Sequence, residues 1–153
     1  MNFAEWPDPD YIYFNPREFS RRQDIEDGLQ MDLETVDRLL WVRKLSGSKI
    51  FVTRGVDTEG HVENSTHYLR PCPAADIMFL DLSLKAANEV IRRAGFKGVG
   101  IYFDWRYQEL KMGGFHVDTH EGDPKRPRPL QWTRHQDPYT DKKEYFYMTS
   151  KED

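Results

Sequence analysis

Two apolar stretches of strand type carry ionisable side chains in their interiors: Ala74-Ala75-Asp76-Ile77 and, about forty residues later, Gly113-Gly114-Phe115-His116-Val117-Asp118. A carboxylate or imidazole among buried residues costs free energy unless something binds it, so the fold must bring partners to these positions. Ser65-Thr66-His67, just ahead of the first stretch, supplies another imidazole. A strand directs residues two apart to one face, so His116, Asp118 and His120 project together if the strand runs that far. His67 and Asp76 then complete the cluster.

Zinc accepts imidazole nitrogen and carboxylate oxygen, and catalytic sites use three protein ligands with a fourth position for water. Two histidines and one aspartate leave one charge uncompensated, which suits acidifying that water. The set His67, Asp76 and His116 is therefore chemically sufficient. The spacing is not a dedicated metal signature, however, and the same residues also read as a hydrogen-bonded His–Asp pair tying loops to a sheet. Cys72 lies between two of these residues and is a soft ligand that competes with Asp76. Its flanking prolines and the lack of a second cysteine weigh against it.

The surrounding pattern predicts one α+β domain over 1–153. It has a mainly antiparallel sheet, two principal helices, an N-terminal arm over 1–30 and a C-terminal tail over 123–153. The arm alternates aromatic and turn residues, Trp6-Pro7-Asp8-Pro9 and then Tyr11 to Phe14, and its prolines suit neither a helix interior nor a central strand. Residues 21–28 read as an exposed polar loop. Leu33, Val36, Leu39 and Leu40 recur at helical spacing after a capping Asp32, and Gly47 ends that helix. Ser48 to Thr53 is a strand, Asp76 to Leu80 a second, and Ser83 caps a helix whose face is Leu84, Ala87, Val90, Ile91 and Ala94. Gly98 to Phe103 is a glycine-bearing strand whose hairpin partner is Gly114 to Asp118. The aromatic tail is expected to pack back on the body. His61 and His135 have loop-like surroundings and are assigned no role.

Charge narrows the partners. With 22 Lys and Arg against 26 Asp and Glu, the chain carries a formal charge of -4, which argues against a nucleic-acid binder. The basic run Lys125-Arg126-Pro127-Arg128 reads as a solvated loop. One cysteine excludes an internal disulfide. The expectation is no membrane partner and no signal peptide, hence a chain that is cytoplasmic on synthesis.

Read together, Ile50-Phe51-Val52-Thr53, Ser65-x-His67, Ala74-Ala75-Asp76-Ile77, Gly98-Val99-Gly100-Ile101-Tyr102 and Phe115-His116-Val117-Asp118 resemble the zinc D-alanyl-D-alanine carboxypeptidase-like metallopeptidases. That fold is shared with the hedgehog amino-terminal domain and with phage lysins. The resemblance runs from about Phe14 to Trp132. It implies Zn2+ bound by His67, Asp76 and His116, a peptidoglycan stem peptide as substrate, carboxypeptidase or endopeptidase action, and Ser65 in contact with that substrate. A phage-encoded enzyme acting at the cell wall fits the expected lack of a signal peptide. A non-catalytic, zinc-stabilised binding or virion-associated module is the alternative.

The chain also departs from that pattern. Arg70-Pro71-Cys72-Pro73 lengthens the loop between the first histidine and the aspartate. Arg54-Gly55-Val56-Asp57 replaces a segment that carries an arginine for the oxyanion or a terminal carboxylate, leaving Arg54 or Arg70 to substitute. Gly113 stands where a catalytic acid is common. Asp118 is the first candidate for the proton-transferring carboxylate and equally for a partner that orients an imidazole, with Asp104 and Glu109 as alternatives. Tyr102, Trp105 and Tyr107 are candidates for a substrate groove or for rim packing.

Overall fold

Alternation within the strands sorts the sheet into two faces, and the helices cover only one of them. The computed structural model describes residues 6–61 and 64–148; the first residues of the expected arm and the last of the tail lie outside that range. Three α-helices are described: α1 (Ile25–Gly28), α2 (Leu33–Ser46) and α3 (Leu84–Arg93). Strands β1 (Ile50–Arg54), β2 (Ala74–Phe79), β3 (Gly98–Tyr102), β6 (Gly114–Asp118), β9 (Leu130–Gln136) and β10 (Lys143–Met148) form one sheet in the order β1-β2-β6-β3-β9-β10. Two small hairpins sit outside it: β4 (Arg106–Tyr107) with β5 (Leu110–Lys111), and β7 (Gly122–Asp123) with β8 (Arg126–Pro127). All neighbouring pairs are antiparallel except β3 with β9. The domain is thus α+β with a mainly antiparallel sheet.

Both principal helices begin and end as the residues dictate. Asp32 accepts a hydrogen bond from the Glu34 amide, and Gly47 takes a φ of 66° at the other end of α2. Ser83 accepts from the Ala86 amide at the start of α3. Val36, Leu39, Leu40 and Val42 of α2 and Ala87 and Ile91 of α3 form one buried cluster with Ile77, Val99, Phe115 and Val117 of the sheet. The residues alternating with those strand positions, Asp76, Gly98, Gly100, His116 and Asp118, face the other way.

Three expectations need correction. The segment 21–28 is not all exposed loop: Asp24 caps the short α1, and Gly28 is packed so closely on the Pro16 carbonyl that a Cβ there would lie 1.7 Å from its oxygen. The tail does not simply pack back. It supplies β9 and β10, because β9 pairs with β3 from Gly98–Leu130 to Tyr102–Arg134 and extends the sheet. His135 accordingly lies in a strand, stacked on Phe103. In the described part of the arm Trp6, Phe14 and Phe19 are buried, whereas Ile12 and Tyr13 are exposed. The arm is pinned by Asp8, whose carboxylate accepts the amides of Ile12, Tyr13 and Phe14.

Candidate metal centre

Strand register brings the polar positions together. Asp76 lies opposite His116 across β2 and β6, and His116 lies opposite Gly100 of β3. His67 arrives from a 3-10 turn (Thr66–Tyr68), in which the Ser65 hydroxyl accepts the His67 amide and orients the turn. His67, Asp76 and His116 are all buried, and one donor atom from each lies within 4.8 Å of the others. His67 Nε2 is 3.2 Å and His116 Nδ1 3.0 Å from the same oxygen, Asp76 Oδ1.

The far side of each ring is held as well. His67 Nδ1 lies 2.8 Å from the Gly55 carbonyl, and His116 Nε2 lies 2.8 Å from Asp118 Oδ2. An imidazole that gives its far N–H to an oxygen keeps a lone pair on its near nitrogen. Here the near nitrogens are hydrogen-bonded to Asp76 Oδ1, and a cation would take the place of the shared protons and join two imidazole nitrogens and a carboxylate oxygen. This buried group could hold a metal ion, and the donor set of two nitrogens and one oxygen suits a borderline metal such as zinc.

The electrostatics reinforce the grouping. Burial acts to raise the Asp76 carboxyl, but hydrogen bonds with His116 and His67 outweigh it and hold the group well below the usual carboxylate range. Burial acts to lower the His116 imidazole, yet its contacts with Asp118 and then Asp76 push it up to about 9. Asp118 is likewise held down against its burial by His116.

Asp118 is fully buried and serves the cluster indirectly. One oxygen takes His116 Nε2 and Arg128 Nη2, at 2.8 and 3.3 Å; the other accepts the His120 amide. The structure therefore gives it the imidazole-orienting position. Gly98 makes that position possible: a Cβ there would sit 2.3 Å from Asp118 Oδ2. His120 does not join the face, because β6 ends at Asp118 and His120 Nδ1 instead accepts the Gly122 amide. Cys72 also stays outside the cluster. Burial pushes its thiol up to about 11, and its sulfur lies among backbone carbonyls.

The cluster forms the floor of a groove of about 690 Å³. Ser65, Arg54, Tyr102 and Trp105 line it, whereas Tyr107 packs on Phe51 outside it. Trp132 lies flat against Gly100, where a Cβ would meet its ring at 2.4 Å, and its Nε1 donates to the Tyr102 hydroxyl. Arg54 is drawn to Asp57 at 3.3 Å. Arg70 donates to the carbonyls of Asp57, His67 and Leu69, so it braces the loop and does not line the groove. Asp104 holds Arg134 through two hydrogen bonds, and Glu109 is exposed on a turn away from the groove.

Sequence reasoning missed His61 and Arg128. The His61 ring stacks on His67 with centroids 4.2 Å apart, and its Nε2 meets Asp57 Oδ2 at 3.1 Å. Burial and then the neighbouring His67 push this imidazole below its ordinary value. The run Lys125 to Arg128 is not wholly solvated either, since the Arg128 side chain is only 7% exposed. The four-residue spacing of Asp57 and His61 was the available signal for the first; nothing local marks the second.

No protein-family model, curated protein or solved structure matches the chain.

Proposed function

We propose that the chain is a zinc-dependent hydrolase acting on peptide bonds of peptidoglycan stem peptides, of the D-alanyl-D-alanine carboxypeptidase-like type. The observation that carries this reading is the convergence of His67 Nε2, His116 Nδ1 and Asp76 Oδ1 at the floor of an open groove, with the far nitrogen of each ring held by Gly55 or Asp118. The motif resemblance supplies the substrate class. Bound zinc supplies a Lewis acid and an acidified water. Asp118 fixes the His116 ring, Ser65 fixes the turn that presents His67, and Trp132 forms one flank of the groove beside His116. Arg54, Ser65 and Tyr102 line the space in which a peptide lies.

The test is elemental analysis of protein purified without a metal-binding tag, followed by digestion of muropeptides with release of amino groups as the readout. Near-stoichiometric zinc and amine release, both lost in His67→Ala and Asp76→Ala, are expected. Absence of zinc after reconstitution overturns the reading.

One observation favours a second reading, a zinc-stabilised binding or virion-associated module. Among the described residues the only carboxylates lining the groove are Asp76 and Asp118, both already engaged, and Gly113 offers no side chain. Zinc and muropeptide binding without amine release would establish it.

A further inference from the structure

The groove is far more basic than the chain. The protein carries a formal charge of -4, yet Arg54, Arg106, Arg126, Arg128, Arg134 and Lys143 all line the groove, against Asp76 and Asp118 alone among the described carboxylates. Two of these cations are neutralised in place, Arg54 by Asp57 and Arg134 by Asp104. Arg106, Arg126 and Lys143 have no carboxylate partner among the described residues. Arg128 is the telling member. Its side chain is 7% exposed and makes one hydrogen bond, from Nη2 to an Asp118 oxygen already shared with His116. Its buried Nε and Nη1 have no acceptor among the described residues.

A buried guanidinium with unfilled donors is costly, and its planar fork matches the two oxygens of a carboxylate or phosphate. We propose that Arg128 is the centre of an oxyanion subsite in this groove, so that the molecule bound over the metal centre carries a carboxylate or phosphate group. The subsite lies at the Asp118 end of the cluster, because β9 starts at Leu130 opposite Gly98, which in turn faces Asp118. Arg126, on the two-residue β8, is exposed at its rim. The small β7–β8 hairpin lies along the stem of the Arg128 side chain, its Gly122 beside the Arg128 Cγ. The subsite deepens the proposed function by assigning Arg128 as the partner of an anionic group on the substrate. It rests on that reading for the molecule that bears the group, and stands without it as a site.

The experiment is calorimetric titration of the full chain, metal-free and zinc-loaded, with inorganic phosphate and with succinate. The parent should bind at least one of them in both forms, which separates this proposal from failure of the zinc reading. Arg128→Gln should weaken binding about tenfold or more, the loss of a charge-assisted hydrogen bond, and Arg128→Lys less. Arg93→Gln, on the exposed end of α3, should not change it. Tighter binding of phosphate or of succinate assigns the source of the oxyanion. Circular dichroism verifies folding, and Arg128→Lys carries the comparison if Arg128→Gln does not fold. Equal binding by parent and Arg128 variants, binding by neither anion, or binding that depends on His67 and not on Arg128 would overturn the subsite.

Discussion

The two faces of the central sheet solve opposite problems with adjacent residues of the same strands. On the helix side Ile77, Phe115 and Val117 pack with apolar residues of α2 and α3 in one buried cluster. On the groove side Asp76, His116 and Asp118 are nearly as buried, and each is satisfied by directed hydrogen bonds, Asp76 from His67 and His116 on other segments and Asp118 from His116 and His120 nearby in the chain. Apolar packing is non-directional and spread over many contacts. A polar cluster concentrates its energy in a few directed bonds, so it can be ordered for a ligand.

Substitutions on the two faces should separate stability from binding. The largest stability effect belongs to the helix face: Phe115→Ala should cost about 3–5 kcal/mol, read by chemical denaturation, with metal affinity retained at temperatures where the variant is folded. Its neighbour one residue on belongs to the other class. In the parent, zinc at a hundredfold excess over its Kd should add about 2.7 kcal/mol of stability, seen as a rise in Tm that a chelator reverses. His67→Ala and Asp76→Ala should abolish that rise.

Asp118→Asn sharpens the comparison further, since it alters none of the three proposed ligands and changes the group behind His116, which also pairs with Arg128 and accepts the His120 amide. Zinc affinity should fall about 10–100-fold, measured by competition with a chelating dye. An unchanged affinity would mean that Asp118 does not orient the ring. Gly98→Ala should act in the same direction by pushing the Asp118 carboxylate away.

The smallest effect concerns Tyr102 at the groove wall. Burial raises its phenol to about 12 despite the hydrogen bond from Trp132. A folded pKa above the unfolded value favours the protonated form in the native state. The stabilisation is therefore complete below the unfolded pKa of about 10 and is lost as pH rises through about 12. Tyr102→Phe should remove this slope in denaturation measured across that window, together with one late-ionising tyrosine in ultraviolet titration.

The elements were legible where the signal was local. Asp32 with Gly47, and Ser83 ahead of its apolar helix face, marked both principal helices to within a residue or two. Period-two alternation placed Asp76 and His116 on strands. Alternation cannot reveal where a strand stops, so His120 joined the face only on the condition that the strand ran on, and it falls just past the end of β6. The tail was misjudged because a parallel pairing of β9 with β3 leaves no turn sequence between partners. Arg128 was read as solvated because a basic run beside prolines looks the same whether or not a neighbouring hairpin covers it.

The sequence by itself determined the donor types, the strand phase that puts Asp76 and His116 on the side away from the apolar core, and the helices that cover the other side. These follow from bond geometry and from the hydrophobic cost of exposing one face of a strand. Tertiary structure alone decided that His67 meets Asp76, that His61 stacks on His67, that Gly98 and Gly100 make room for Asp118 and Trp132, and that Arg128 faces the cluster with donors to spare. Those are contacts between residues distant in the chain, and a side chain's partners at such range are fixed by register and packing, not by its neighbours in sequence.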